Sequence, residues 1–320
     1  MNPSAESLED LIRASSRALV IGVGGGGDVV GALAAARFLE FCGLEFVLGG
    51  LSWERSVYDP IPGPRSIGEV EDVRVIHPRI WMANPKSQTN TGVFFAESKM
   101  AAVHGQQVLL VDINGGVNGV VEGLEVAIKE FKTDLLVGLD VGGDSLAQGN
   151  ELGLRSPLAD SIMLAAYAEL EKRGYRTLWA VFGYGSDGEL SVDEIETALS
   201  KLAKAGGWLG TTSLTPKIAV ELEEAIKTVA TEASAVPVQC FHGAWGETKI
   251  RTDRRTVKLT PLTALIFFVS ATKLFQTLAR PAQAVSKSSS LEEANDALHA
   301  LGIKTELDLE RERYAATENF

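Results

Sequence analysis

Residues 18–43 read ALVIGVGGGGDVVGALAAARFLEFCG. The opening ALVIGV is an unbroken apolar run, the pattern of a parallel strand buried on both faces. A glycine cluster follows, then a helix of small residues that Gly43 ends. The next apolar run, EFVLGGL, completes a strand–helix–strand unit of the expected size. Within the turn, Gly22, Gly24 and Gly27 match G-x-G-x-x-G, with Gly25, Gly26 and Asp28 completing the loop. Between a strand and a helix, that spacing lets backbone N–H groups and the helix dipole hold an anion. The plainer reading is a tight turn with close helix packing. Asp28 would serve as a helix N-cap, yet its charge repels a phosphate unless a cation or ligand hydroxyl lies between them. A ribose-binding acid belongs near the end of the second strand. Glu54 is the nearest candidate, and it follows Ser52-Trp53 without ending the strand cleanly. Dinucleotide binding is therefore not favoured.

Working outward, the alternation continues. QVLLVDI, DLLVGLDV and RTLWAVFGYG read as strands, followed by helices over 117–131, 156–173 and 191–205. This rhythm predicts a doubly wound, mostly parallel Rossmann-like α/β sheet with helices on both faces. A short amphipathic helix is expected over 7–14 and another helix over 216–231. PIPGP (60–64) interrupts regular structure, VRVIHPRIWM is strand-like, and NPKSQTNTG reads as a loop. Toward the C-terminus we expect an extended VPVQCFHG and a hairpin over TKIRTDRRTVKLTP. A buried helix over 262–278, a helix over 291–299 and a charged, fraying tail complete the reading. No internal repeat or low-complexity linker interrupts the 320 residues. A single α/β domain over 1–320 follows, with its core about 15–235 and a hairpin and helix extension about 236–320.

Four predicted strands end in loops that pair glycine with Asp, Asn or Glu. Besides the first, these are Asp112-Ile113-Asn114-Gly115-Gly116, Asp140-Val141-Gly142-Gly143-Asp144 and Gly183-Tyr184-Gly185-Ser186-Asp187-Gly188-Glu189. Any one is an ordinary turn by composition. Four on one sheet edge, where open parallel sheets bind ligands, point to a site. Carboxylates there suit Mg²⁺, which bridges protein carboxylates to substrate phosphates, and can act as general bases. Asp112, Asp140 and Asp144 are the first choices as catalytic groups and metal ligands; Glu151 and Asp160 come second. The loop Gly22–Asp28, with Asn114, Gly142 and Gly143, would hold a phosphorylated ligand. Lys86, Arg155 or Lys99 would supply positive charge, Lys86 from a segment that reads equally as a lid or a solvated loop. Cys240 and His242, two apart, would share a face on a strand, and a buried cysteine is usually a small hydrophobe.

A net charge of −12 argues against nucleic acid as a partner. The densest basic run, 251–258, is short, interrupted by Asp253, and reads as part of a hairpin. Two cysteines without metal spacing fit a reducing compartment. The N-terminus lacks a signal-peptide pattern, and the longest apolar run is too short for a bilayer. A cytoplasmic protein without a membrane partner is expected, and a homo-oligomer is compatible with the sequence.

The segments ALVIGVGGGGDVVGALAAARFLE, GGLSWER, LDVGGDSLAQGNELGLRSPLADSIMLAA and TVKLTPLTALIFF resemble a mainly archaeal family, DUF1152, defined as a domain of unknown function. The resemblance covers most of the chain and implies a family-wide domain. It implies no particular activity.

The residues thus lead to a Mg²⁺-assisted hydrolase or group transferase acting on a phosphorylated small molecule, nucleotide or sugar. The alternatives are an NAD(P)- or flavin-dependent oxidoreductase using the glycine loop, and a ligand-binding or assembly protein without turnover.

Overall fold

The computed structural model describes residues 7–251 and 254–318; Asp253, which interrupts the basic run, lies outside them. The chain begins with α1 (Leu8–Arg13), β1 (Arg17–Gly22), α2 (Asp28–Phe41) and β2 (Glu45–Leu51). Two small antiparallel pieces follow: β3 (Val70–Glu71) with β6 (Gln88–Thr89), and β4 (Arg74–His77) with β5 (Ile80–Ala83). Then come α3 (Ala96–His104), β7 (Val108–Val111), α4 (Gly116–Phe131), β8 (Leu135–Val141), α5 (Pro157–Lys172) and β9 (Thr177–Phe182). The remainder comprises α6 (Val192–Lys204), β10 (Trp208–Ser213), α7 (Pro216–Thr228), α8 (Glu232–Phe241), β11 (Gly246–Ile250), β12 (Arg255–Leu259) and β13 (Leu265–Val269). Four helices close the chain: α9 (Ala271–Thr277), α10 (Arg280–Val285), α11 (Leu291–His299) and α12 (Glu306–Glu318).

The main sheet has nine strands in the order β10-β13-β9-β8-β1-β2-β7-β5-β4. Its middle five, β9-β8-β1-β2-β7, are parallel. Counted in chain order, they run 5-4-1-2-3, the doubly wound order whose direction reverses between β1 and β8. The strands are apolar throughout because both faces are covered. On β8, Leu135, Val137 and Leu139 pack with α2 and α7, while Leu136 packs with α4 and α5. The large residues Trp179 and Tyr167 meet edge to face at 5.5 Å on the α5 side. Ser191 and Glu194 form a capping box that starts α6 where the sequence places it.

Two expectations are corrected, and one strand is added. Residues 262–278 are not one helix: a 3₁₀ turn precedes β13, and Ser270 caps the short α9. The run Leu-Ile-Phe-Phe-Val is rich in β-branched and aromatic side chains. It inserts antiparallel between β9 and β10, where those side chains pack on a pleated surface. Strand β10, by contrast, is largely exposed and carries no apolar run to betray it. Finally, VPVQCFHG is helical, capped at Thr231, so Cys240 is buried while His242 is exposed and bonded to Glu223 at 2.6 Å. These two do not form a pair on a strand face. Among the described residues, no helix is long and apolar enough to cross a membrane.

Candidate functional site: a buried carboxylate centre

The winding reverses between β1 and β8, the place where open α/β sheets bind ligands, and both strands end there in glycine turns. After β1, Asp28 begins α2, and its Oδ2 accepts Gly24 N–H at 3.0 Å and Val141 N–H at 3.4 Å. One carboxylate therefore ties the two strand ends together. Burial, and then the charge of Asp140, push its pKa up to about 7. Gly26 N–H donates to Trp53 O at 2.9 Å, and a methyl group on Gly27 would meet Thr231 Cβ at 2.3 Å. The seat that a pyrophosphate takes in a dinucleotide-binding turn is thus filled by Asp28 and covered by Thr231.

Near the end of β8, Asp140 is fully buried. Its Oδ2 accepts Ser145 N–H at 3.0 Å and Ser145 Oγ–H at 2.5 Å; its Oδ1 accepts Gly143 N–H at 3.3 Å. Asp144 follows on a 3₁₀ turn, 7% exposed, within reach of Ser156 Oγ at 3.4 Å. Asp160 lies in the first turn of α5, 2% exposed, and neither carboxylate oxygen has a hydrogen-bond partner among the described residues. It does not cap its own helix, because Glu306 from α12 accepts Leu158 N–H and Ala159 N–H at 3.0 and 2.9 Å. One oxygen from each of Asp140, Asp144 and Asp160 lies within 4.8 Å of the other two. Burial and then the neighbouring acids hold Asp144 and Asp160 well above the usual carboxylate range. A methyl on Gly24 would meet Asp28 Oδ2 at 2.6 Å and Asp160 Oδ2 at 3.4 Å, so the glycine turn looks onto the same space.

A second triad, Asp144, Asp187 and Glu189, satisfies the same spacing. Its chemistry differs. Glu189 Oε1 accepts from Ser156 Oγ at 2.6 Å and Arg255 Nη1 at 3.0 Å, and Oε2 from Arg155 N–H and Ser156 N–H at 2.6 and 2.9 Å. Burial opposes its ionisation, but Arg255 and the Ser156 hydroxyl hold its pKa below the usual value. A carboxylate with four donors has no lone pair to spare for a cation. Asp187, in contrast, is pushed to about 8 by burial and then by Glu189. Of the two triads, the first is the one open to a metal ion.

The other sequence candidates lie elsewhere. Asp112, at the end of β7, pairs with Arg79 at 2.6 Å and accepts the Asn114 N–H and side-chain amide at 2.7 and 2.8 Å. It is not in the carboxylate centre, and Asn114 spends its amide there and on Pro64 O. Glu151 closes its own turn by accepting Gln148, Gly149 and Asn150 N–H groups. Arg155 bonds the carbonyls of its own loop, Leu152 and Leu154. Lys86 is exposed, and Lys99 sits over the Tyr58 ring at 5.4 Å. Glu54 accepts Ala96 N–H at 2.5 Å at the start of α3. Gly142 and Gly143, by contrast, form the turn that presents Asp144, with positive φ at both. The sequence reading left Asp187, Glu189, Arg55, Arg251, Arg255 and Glu306 unranked. The signal available was the acid pair in the loop after β9; nothing local marks Glu306, which arrives from the far end of the chain.

Fold and site together define a doubly wound α/β protein with a buried carboxylate centre at its topological switch point. A family model described as "Protein of unknown function (DUF1152)" matches residues 19–314, and the chain belongs to that family. No curated protein and no solved structure matches it.

Proposed function

We propose that this protein is a Mg²⁺-assisted enzyme, a hydrolase or group transferase acting on a phosphorylated small molecule, nucleotide or sugar. The observation that carries this reading is Asp160: a buried carboxylate with no partner, pointing at Asp140 and Asp144. An unpaired buried charge is costly, and a divalent cation offsets that cost for all three acids at once. Asp140, Asp144 and Asp160 would hold the ion, with Asp140 braced by Ser145. Bound there, Mg²⁺ would polarise a phosphoryl group and acidify a water. In hydrolysis, the water oxygen bonds to phosphorus, the ester P–O bond breaks, and the water proton passes to the departing oxygen. The site lies where open α/β sheets place their ligands, and the filled glycine turn gives a dinucleotide no comparable support.

A thermal-shift panel of nucleotides, sugar phosphates and free sugars, each with and without Mg²⁺, tests this. The expected result is stabilisation that needs both the cation and a phosphate, about 2.7 kcal/mol at a hundredfold excess over Kd. Stabilisation by a dinucleotide without metal would replace this reading by the oxidoreductase, and an unchanged melting temperature throughout would favour a protein without turnover.

A further inference from the structure

Guanidinium groups approach the carboxylate centre from two sides. Arg55, just beyond β2, lays its side chain along Gly26 and donates from Nη2 to Gly24 O at 2.7 Å. Among the described residues this is the one hydrogen bond of its guanidinium. From the hairpin, Arg255 donates to Glu189 Oε1 at 3.0 Å and to Asp187 O at 2.8 Å. Arg251, at the end of β11, lies 3.7 Å from Glu189 Oε1, and its guanidinium makes no hydrogen bond among the described residues. Its backbone takes φ 53, a left-handed conformation that a long side chain rarely adopts. The Arg251 N–H is tied to the Glu232 carboxylate at 2.5 Å. These constraints aim a 37% exposed side chain at the saturated Glu189. The arginines are near enough to act on one another: burial and then the charges of Arg255 and Arg55 hold Arg251 below its ordinary pKa.

Positive groups gathered beside a cation site want an anion between them. Asp140, Asp144 and Asp160 with one divalent ion sum to −1; Glu189 with the guanidiniums of Arg55, Arg251 and Arg255 adds +2, so this group of charges comes to +1 and favours an anion. The planar guanidinium fork matches phosphate oxygens, and a cation held by the three acids would share the same anion. A neutral sugar would offer the guanidiniums no charge to pair with. Two donors of the glycine turn, Gly24 and Gly26 N–H, are already bonded, and the arginines add the positive charge that the turn lacks. We propose that Arg55 and Arg251 bind the phosphoryl group of the substrate and bridge it to the cation, with Glu189 orienting Arg255 beside them. This rests on the cation reading of the carboxylate centre.

The test is calorimetric titration of inorganic phosphate, malonate and ribose into the full chain saturated with Mg²⁺. Phosphate should bind and ribose should not, with malonate weaker than phosphate. Arg251→Gln and Arg55→Gln should each weaken phosphate at least about tenfold, the loss of one charge-assisted bond, with Mg²⁺ affinity retained. Arg173→Gln, at the C-cap of α5, should leave phosphate affinity unchanged. Arg55 is surrounded by acids, so if its variant fails to fold, Arg251 on the hairpin decides. Phosphate affinity unmoved by Arg251→Gln, or ribose or malonate binding as tightly as phosphate, would overturn the proposal, as would Mg²⁺ binding without any phosphate binding. Absence of Mg²⁺ binding, read before phosphate is added, would remove the underlying reading too.

Discussion

Glu306 accepts the N–H groups of Leu158 and Ala159, and so leaves Asp160, in the same helical turn, with both carboxylate oxygens unpartnered. A helix N-terminus favours negative charge, and here the C-terminal helix α12 delivers it. The same helix brings Glu310, whose Oε2 accepts Trp53 Nε1–H and Gly63 N–H, both at 2.9 Å. The end of the chain thus closes over the centre built by its beginning. Glu306→Ala should lower the unfolding free energy by about 1–2 kcal/mol, the range of a lost helix cap, in urea denaturation. Cation stoichiometry should not change. A variant as stable as the parent would mean that the cap contributes nothing.

Asp28 and Glu306 are pushed to about 7, and Asp187 to about 8. Burial comes first in each case. The folded protein therefore holds these protons more tightly than the unfolded chain. Their effect on stability is neutral below the unfolded carboxylate range and unfavourable above the folded values. Metal-free protein should lose stability as pH rises from about 5 to 8. Asp144 and Asp160, which the cation would bind, also hold their protons well above the usual carboxylate range through burial and neighbouring acids, so Mg²⁺ should raise the melting temperature more at about pH 8 than at about pH 6. Melting curves in chelator and in Mg²⁺ at both values check this; an equal or larger Mg²⁺ effect at the lower pH would contradict it.

Gly142 has φ 121, and a methyl group there would meet Asp187 Cγ at 2.3 Å. Gly142→Ala should cost about 2–4 kcal/mol through backbone strain and overpacking. It should also weaken any cation binding, because Asp144 hangs from the same turn. Chemical denaturation gives the first effect and titration the second. A neutral substitution would show that the turn can relax.

Asp112 stands outside both acid triads and pairs with Arg79. Asp112→Asn should destabilise by about 1–3 kcal/mol, by weakening the hydrogen-bonded pair with Arg79, yet leave Mg²⁺ affinity unchanged. A large loss of affinity would draw β7 into the site.

Much of the fold was legible because its decisive signals are local. ALVIGV and DLLVGLDV are buried on both faces, so their apolar runs are unbroken, and Ser191 with Glu194 marks a helix start within four residues. Strand β13 was misread because its five apolar residues run straight into a capped helix, and periodicity over so short a run cannot separate strand from helix. The strand-end acids were visible as a group, but their ranking was not. Asp112 and Asp140 end similar strands, and only three-dimensional proximity pairs one with Arg79 and the other with Asp144. Asp160 reads as a first-turn acid until Glu306, more than a hundred positions later, takes over the cap.

The most direct test of the account is calorimetric titration of Mg²⁺ into the full chain and its Asp160→Asn variant, after exhaustive chelation. The account predicts a saturable isotherm for the parent protein and a loss of at least about tenfold in affinity for the variant, with the fold retained by circular dichroism. Equal affinity in the two proteins, or no binding by the parent, would contradict a cation site at Asp140, Asp144 and Asp160.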